Sequence, residues 1–180
     1  PHEGRCGSGT VFVYSGQGSQ WAGMGRRLLA DEPVFAAAVA ELEPVFVEQV
    51  GFSLHQLLAD GEPVTGDARV QPVIMGLQLA LTALWRSYGV EPDAVIGHSM
   101  GEVTAAVVAG ALSPADGLKV IAIRSRLMWR VVGRGGVGAR RWVEGAAAGV
   151  VSLIFVRPAA GGVPPRATSS CCSAPQAQRG

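Results

Sequence analysis

The sequence has no long apolar run and few cysteines. A membrane-spanning helix needs about 18 or more consecutive apolar residues, and no stretch of this chain reaches that length. The first ten residues are polar, so no secretory signal is expected and a cytoplasmic location is predicted. The three cysteines, Cys6, Cys171 and Cys172, fit neither a disulfide framework nor the ligand spacing of a metal site, so no metal is expected.

Acidic residues are nearly absent after residue 130. Residues 131–180 contain six basic residues and one acidic residue, a net charge of +5, whereas residues 1–130 contain nine basic and thirteen acidic residues, a net charge of −4. The last segment is rich in Gly, Ala, Pro, Arg and Ser, and it lacks sustained periodicity outside an apolar run at 150–156, which could be a strand but has no turn chemistry linking it to a partner. We therefore expect a linker at 1–9, a folded segment at 10–132 and a low-complexity, disordered tail at 133–180. Nucleic-acid binding is not expected, because the arginines of the tail are scattered and no aromatic platform interleaves them.

Short apolar strands alternate with longer helical patterns in the folded segment. The β-prone runs at 10–14 and 93–97 predict two buried strands, and the glycine-rich residues 15–19 predict a loop after the first. Helical spacing predicts six helices and one intervening loop, the helices at 24–31, 33–49, 53–59, 71–88, 100–109 and 113–130, and the loop at 61–69. The helix at 71–88 is apolar around most of its circumference, including Trp85, and is expected to be buried. This alternation predicts an α/β architecture.

The stretch AVIGHSMGE at 94–102 admits two interpretations. Ser99 and Glu102 have the S-x-x-E spacing of a capping box, in which the two side chains accept hydrogen bonds from free backbone N–H groups at the start of a helix. The same stretch contains G-x-S-x-G after an apolar run, which is typical of a strand that turns sharply into a helix and exposes a nucleophilic serine. The small residues Gly97 and Gly101 leave room for such a turn. On its own, this stretch leaves both interpretations open.

Three further motifs accompany this stretch, namely YSGQGSQW at 14–21, Gln71-Pro72 and the RSR triplet at 124–126. In this order and at this spacing, the four motifs resemble the acyltransferase domains of modular type I polyketide synthases, which act on malonyl-CoA or methylmalonyl-CoA. The resemblance covers about residues 10–131 and implies a hydrolase-like parallel-sheet core with a nucleophile elbow. It also implies a chain truncated after about Val131, without the ferredoxin-like subdomain and the C-terminal part of the family's fold.

The resemblance implies a covalent acyl-transfer mechanism. Ser99 matches the family nucleophile, which takes the acyl group from coenzyme A as a serine ester and passes it to the phosphopantetheine thiol of an acyl carrier protein. The backbone N–H groups of Gln17 and Met100 match the pair that forms the oxyanion hole. No bound cofactor is implied, because the coenzyme A thioester is a substrate. The implied partners are the acyl carrier protein and other polyketide synthase domains.

The resemblance also implies three substrate-binding residues. Arg124 matches the arginine that holds the free carboxylate of the extender unit, and its planar guanidinium can do so with two parallel hydrogen bonds. The apolar sequence before it, at 120–123, argues against a solvated surface charge. His98 and Gln71 match residues that line the acyl pocket. On a sharp turn His98 should point away from Ser99, so it is a poor candidate for the catalytic base.

The histidine that should activate the serine is absent from this sequence. In the family it lies well downstream of the nucleophile, whereas His2, His55 and His98 all precede Ser99. Loss of one triad member lowers turnover by a factor on the order of 10⁴ to 10⁶, so we expect an impaired acyltransferase. The downstream motif that selects the extender unit is absent as well, and the context of Met100 and of 70–72 leans only weakly toward methylmalonyl.

Two other functions stay open at this stage. The chain could be a non-catalytic, poorly folded remnant of a polyketide synthase, because its second half would normally cover apolar surface. A stand-alone serine hydrolase is disfavoured, because a simple esterase needs neither Arg124 nor the loop of Gln17.

Overall fold

The computed structural model describes residues 9–134, 152–156 and 168–170 of the chain. In chain order the elements are β1 (Val11–Tyr14), α1 (Arg26–Asp31), α2 (Pro33–Val50), α3 (Leu54–Asp60), α4 (Asp67–Ser87), β2 (Ala94–Gly97), α5 (Gly101–Val108), α6 (Pro114–Arg134), β3 (Ser152–Val156) and β4 (Thr168–Ser170). The mixture of strands and helices confirms the predicted α/β class. Both strands and all six helices expected in 10–132 are present, with their ends shifted by a few residues.

The strands form one mixed sheet in the order β1-β2-β3-β4. β1 and β2 are parallel, with Val11 opposite Ala94 and Tyr14 opposite Gly97. Parallel neighbours need a long crossover connection, which here consists of α1 to α4. Since parallel strands end at the same edge of a sheet, the residues after Tyr14 and after Gly97 meet there. The outer strands differ, because β3 is antiparallel to β2 and β4 is antiparallel to β3.

Helix α4 lies at the centre of the helical layer. It packs against α2, α5 and α6, and eleven of its residues are buried. The prediction of a buried helix is therefore correct for most of its length, but Trp85 is 52% exposed because it lines an open groove beside β1. The helix also begins at Asp67, four residues before the predicted start at 71. Gly66, the residue before it, has a positive φ of 80°, and the Asp67 carboxylate stabilises the first turn.

Helix α6 begins as predicted, because the Ser113 hydroxyl accepts a hydrogen bond from the Asp116 backbone N–H at 3.1 Å. Its inner face carries Leu118, Ile121, Ala122 and Ser125, which are all buried. The side chains of Val120 and Ile123 are about half exposed, at 43% and 50%, so the run before Arg124 is amphipathic rather than uniformly apolar.

Two described strands fall in the segment 133–180, for which the sequence predicted disorder. β3 coincides with the apolar run at 150–156 and pairs with β2, Ala94 lying opposite Val156. No turn signal in the sequence predicts this pairing, because β2 and β3 are not joined as a hairpin and lie far apart in the chain. β-branched and aromatic residues in this run favour a strand. The rest of the predicted tail lies outside the described residues, as do the three cysteines, His2 and nearly all of the predicted linker.

Apolar side chains are exposed along β1. Val11 is 48% exposed and Val13 is 70% exposed. An open groove of about 490 Å³ runs beside this strand, between it and the α4 side chains that include Leu81 and Trp85. By contrast, α5 is well covered, since Thr104, Ala105 and Ala106 are buried. Of these two elements, β1 therefore exposes apolar side chains and α5 does not.

Candidate active site

The chain turns sharply between β2 and α5, and Ser99 lies at the turn. Its φ of 56° is left-handed, the only positive φ of a non-glycine residue in the part of the chain that the structure describes. A Cβ at Gly97 would overlap the main chain of Glu102, and a Cβ at Gly101 would overlap the Tyr14 carbonyl. The turn can therefore form only because both positions are glycine.

This geometry decides between the two interpretations of Ser99. Helix α5 has Met100 at its N-cap and no side-chain capping hydrogen bond. Glu102 interacts with Ser99 through the main chain, its N–H donating to the Ser99 carbonyl at 3.2 Å. The capping box is therefore wrong, and the serine side chain is free to point into the site, as in a nucleophile elbow.

The loop 15–19 lies against this turn. The His98 N–H donates to the Tyr14 carbonyl at 3.0 Å, which continues the β1–β2 pairing beyond the ends of the strands. A Cβ at Gly16 would lie 3.3 Å from the Ser99 Cβ, so a larger residue would crowd the serine. Because the two strands are parallel and in register, the glycine-rich loop is brought beside the serine.

The two backbone groups predicted for the oxyanion hole belong to this loop and to the turn. Within the part of the chain that the structure describes, the N–H groups of Gln17 and Met100 donate to no backbone carbonyl. The Met100 side chain is buried in the core at 1% exposure, which fixes the start of α5. Both groups thus remain available as donors near the serine, and their role in an oxyanion hole stays a prediction.

Arg124 contacts Ser99 directly. Its Nη2 donates a hydrogen bond of 3.0 Å to Ser99 Oγ, although 25 residues separate the two in the chain. Helix α6 packs against both α4 and α5, which brings the half-buried guanidinium to the turn. The prediction that Arg124 is not a solvated surface charge is therefore correct. A guanidinium in this position would attract an anionic ligand to the serine.

Hydrogen-bonded polar side chains connect the loop 15–19 to the first turns of α4. Gln71 is 2% exposed, and its Nε2 lies 3.3 Å from Gln17 Oε1 and 3.4 Å from Met128 Sδ. Gln17 Nε2 in turn donates to Asp67 Oδ1 at 2.6 Å. The buried Gln71 Oε1 has no hydrogen-bond partner among the described residues. A buried amide oxygen without a partner is costly, so it is available to accept a hydrogen bond from a water or a ligand.

The contact of Asp67 with Gln17 was not predicted from the sequence, because residues 61–69 were expected to form a loop. The spacing of four residues between Asp67 and Gln71 was the available signal, since i and i+4 share one face of a helix. Gln78 was missed as well. It is seven residues after Gln71, two helical turns along, and its partners lie in other elements.

The histidines do not supply a base for Ser99 in the described residues. His98 is exposed, and its ring lies over the loop, with Nδ1 3.2 Å from where a Gly16 Cβ would be. His55 is exposed on α3, a helix that packs against α1 and α2. Across the ranges 9–134, 152–156 and 168–170, Arg124 is the one side chain hydrogen-bonded to Ser99 Oγ. The pocket role expected for His98 stays a prediction.

Membrane spans and metal clusters are both absent from these described ranges. None of the helices found there is both long and apolar enough to cross a membrane. No group of three or more His, Cys, Asp or Glu side chains in the described segments is placed to hold a metal ion.

We predict that Gly101→Ala lowers the free energy of unfolding by at least about 3 kcal/mol, because the new methyl group must displace the β1 main chain at Tyr14. Gly110→Ala, just after the other end of α5, is the matched control. Gly110 has a φ of 80° and no atom within 4 Å of the added Cβ, so only the strain of about 1–2 kcal/mol applies. Urea denaturation of both variants measures the difference, and equal losses would contradict the close approach at Gly101.

Comparison with known proteins gives a family match over most of the chain. The family described as "Acyl transferase domain" matches residues 11–155. The match ends within β3, beyond the boundary at 132 predicted from the sequence. Two polypeptides of phenolphthiocerol/phthiocerol polyketide synthases are close relatives: one from Mycobacterium bovis is 72% identical over 137 residues, and one from Mycobacterium tuberculosis is 70% identical over 135 residues. These alignments cover 76% and 75% of this chain but only 7% and 6% of the two relatives.

Solved structures give the same result for the fold. The acyltransferase domain of the polyketide synthase PpsC of Mycobacterium tuberculosis matches with a TM-score of 0.67 at 72% identity, over 68% of this chain and 37% of that one. The acyltransferase domain from module 8 of the salinomycin polyketide synthase matches with a TM-score of 0.61 at 46% identity, over 67% of this chain and 29% of that one. The resemblance drawn from the four motifs is confirmed, and the fold is a partial version of the one in these domains.

Proposed function

Since the chain belongs to the acyl transferase domain family and matches such domains of polyketide synthases, we propose that it transfers a malonyl or methylmalonyl unit from coenzyme A to an acyl carrier protein. The transfer proceeds through an ester on Ser99. The observation that carries the proposal is the 3.0 Å hydrogen bond between Arg124 Nη2 and Ser99 Oγ, at a turn where the serine has a φ of 56°. It brings a nucleophile and a carboxylate-binding group to the same point.

In the first half-reaction, Ser99 Oγ attacks the thioester carbonyl and the C–S bond to coenzyme A breaks. The negative charge on the carbonyl oxygen is stabilised by the N–H groups of Gln17 and Met100. In the second half-reaction, the phosphopantetheine thiol of the carrier protein attacks the serine ester and frees the hydroxyl. This is covalent catalysis in two steps, and coenzyme A is released before the carrier protein is acylated.

Arg124 supplies the preference for dicarboxylic acyl groups. In a malonyl or methylmalonyl unit, one carbon separates the free carboxylate from the thioester carbonyl. A guanidinium that holds the carboxylate while it lies 3.0 Å from Ser99 Oγ therefore places the carbonyl beside the nucleophile. An acetyl group lacks the carboxylate and is not positioned in this way. The choice between malonyl and methylmalonyl is left to residues that line the rest of the pocket.

The proton of Ser99 must leave during the attack. No histidine of the described residues is hydrogen-bonded to Ser99 Oγ, so water takes the proton and the reaction is slow. Removing one member of a serine triad lowers turnover by a factor on the order of 10⁴ to 10⁶, while oxyanion stabilisation and binding retain about 10³ over water. We therefore propose an impaired acyltransferase, working in the cytoplasm with other polyketide synthase domains as partners.

The proposal is tested by incubating the purified chain separately with malonyl-CoA, methylmalonyl-CoA and acetyl-CoA. Intact mass spectrometry over hours detects the acyl adduct, and peptide mapping locates it. We expect a slow adduct on Ser99 with the two dicarboxylic donors and much less with acetyl-CoA. Absence of any adduct, in a chain that unfolds cooperatively in a thermal melt, would instead support the non-catalytic remnant. A chain without a cooperative transition would support a poorly folded one.

A further inference from the structure

The side chain of Gln78 connects the two elements that carry the proposed oxyanion donors. Its Nε2 donates to the Ser15 carbonyl at 2.9 Å, at the start of the loop that contains Gln17. Its Oε1 accepts from Thr104 Oγ1 at 2.7 Å, on the helix α5 that begins at the serine turn. One amide group in the middle of α4 therefore touches both the loop and the helix.

We propose that Gln78 is a positioning residue, which sets the spacing between the loop 15–19 and α5 and thereby the geometry of the oxyanion hole. The inference rests on the proposed function for its catalytic consequence. Gln78 itself does not touch the substrate in this proposal, and it acts through the main chain of Ser15 and through Thr104.

The surrounding hydrogen bonds hold the same region of β1 to α4. The Tyr14 hydroxyl lies 2.8 Å from Thr82 Oγ1, and Thr82 Oγ1 donates to the Gln78 carbonyl at 2.7 Å. Burial raises the pKa of the Tyr14 hydroxyl, so it stays protonated and able to donate at neutral pH. The last strand residue and the first loop residue are thus both tied to one turn of α4.

The location favours a positioning role over simple packing. Thr104 is fully buried, and Gln78 is partly buried between α4, the loop and α5. A polar side chain placed there loses its hydration, which must be offset by hydrogen bonds. An apolar side chain such as leucine or methionine could fill similar space without that requirement. The amide is therefore explained by its two directed bonds and not by volume alone.

The spacing matters because the two donors lie on separate elements. An oxyanion hole requires both N–H groups at about 2.7–3.1 Å from one oxygen position. A misplacement of about 1 Å in a catalytic group can reduce the rate about 10²-fold. Parallel pairing fixes β1 relative to β2, and its last hydrogen bond runs from the His98 N–H to the Tyr14 carbonyl. Beyond these residues, Gln78 is a side chain that bonds both to the loop and to α5.

The test compares Gln78→Met, which keeps the approximate length but loses both hydrogen bonds, with Gln56→Met as the matched control. Gln56 is on α3, and within the part of the chain that the structure describes its side chain bonds to Asp60 alone, at 2.8 Å. The rate of ester formation on Ser99 is measured against the malonyl-CoA concentration. In Gln78→Met we expect a maximal rate about 30-fold lower, with the half-saturating concentration changed less than about twofold, because the Arg124 contact is untouched. Gln56→Met should match the unaltered chain.

Hydrogen–deuterium exchange provides a readout that does not depend on acylation. We expect the hydrogen-bonded amides of 98 and 101–103, at the start of α5, to exchange at least about tenfold faster in Gln78→Met, and those in the middle of α2 to be unchanged. Thr104→Val, which has nearly the same shape and leaves the bond to Ser15, should give a smaller loss of about fivefold in maximal rate. The double variant should be no slower than Gln78→Met, because the two residues share one hydrogen bond.

Several outcomes would overturn the inference. It fails if Gln78→Met acylates at the unaltered maximal rate, if its deficit lies entirely in the half-saturating concentration, or if exchange at 98 and 101–103 is unchanged. Should Gln78→Met not fold, Thr104→Val is judged by the same criteria. If the unaltered chain forms no ester at all, the proposed function fails, and the exchange comparison alone decides whether Gln78 positions the loop.

Discussion

Replacing Ser99 with alanine is expected to abolish the acyl adduct formed from malonyl-CoA and methylmalonyl-CoA. The ester needs the serine oxygen, which alanine lacks. Intact mass spectrometry of Ser99→Ala beside the unaltered chain measures the loss. The matched control is Ser87→Ala at the end of α4, whose hydroxyl bonds to the Leu84 carbonyl at 2.7 Å and to no other group of the described residues. This control should form the adduct at the unaltered rate.

The loss in Ser99→Ala should not come from unfolding. The variant removes one hydrogen bond from a half-buried guanidinium that water can still reach, so the free energy of unfolding should fall by no more than about 1.5–3 kcal/mol. A urea titration of the variant checks this. An adduct that persists undiminished in Ser99→Ala would show that another side chain is being acylated, and the covalent mechanism proposed for Ser99 would be rejected.

The part of the fold that the sequence could predict is the part that local patterns describe. The two apolar runs predicted β1 and β2, and the glycine-rich residues between the first run and the next helix predicted a loop. Six stretches with helical spacing predicted α1 to α6. The predicted helix at 113–130 has a local start signal as well, since Ser113 can cap it and proline follows at the first helical position. The pairing of β3 with β2 could not be predicted in this way. It depends on residues far downstream, which form hydrogen bonds with the edge of β2 that β1 leaves unpaired.

The candidate site was predicted through the family resemblance, and not through local pattern. Nothing in the spacing of Ser99 and Arg124 shows that they touch, because the contact depends on how α6 packs against α5. The hydrogen bonds of Asp67 and Gln78 could not be predicted for the same reason. Gln78 bonds to groups 63 and 26 residues away, so its role becomes visible only when three elements are placed together.

The helical spacing of apolar residues predicted the burial of whole helices, but not the burial of each residue in them. Trp85 belongs to the apolar pattern of α4, yet it lines the open groove beside β1 and is 52% exposed, whereas the preceding Leu84 is buried in the core. Ser99 shows the opposite case, in which a sequence typical of a cap folds into a strained turn. There the packing of Gly101 against β1 decides the backbone conformation, and the local capping preference does not.

Arg124→Met is expected to remove the preference for dicarboxylic donors. Methionine retains apolar packing on α6 but cannot bind a carboxylate. A hydrogen bond to a charged group contributes about 1.5–3 kcal/mol, so the rate of ester formation with malonyl-CoA should fall about 10- to 100-fold. The rate with acetyl-CoA should change little, because that donor has no carboxylate to bind. The ratio of the two rates, measured by intact mass spectrometry, is the quantity to compare.

Two further variants separate charge and geometry from a general effect of changing α6. Arg124→Lys keeps the charge but cannot form two parallel hydrogen bonds, so its ratio should lie between those of the unaltered chain and Arg124→Met. Arg126→Met is the control two residues along the same helix, where the guanidinium is exposed and bonds to the Gln49 carbonyl at 3.1 Å. Its ratio should equal that of the unaltered chain. If Arg124→Met also keeps the unaltered ratio, the guanidinium does not select the donor, and its hydrogen bond to Ser99 needs another explanation.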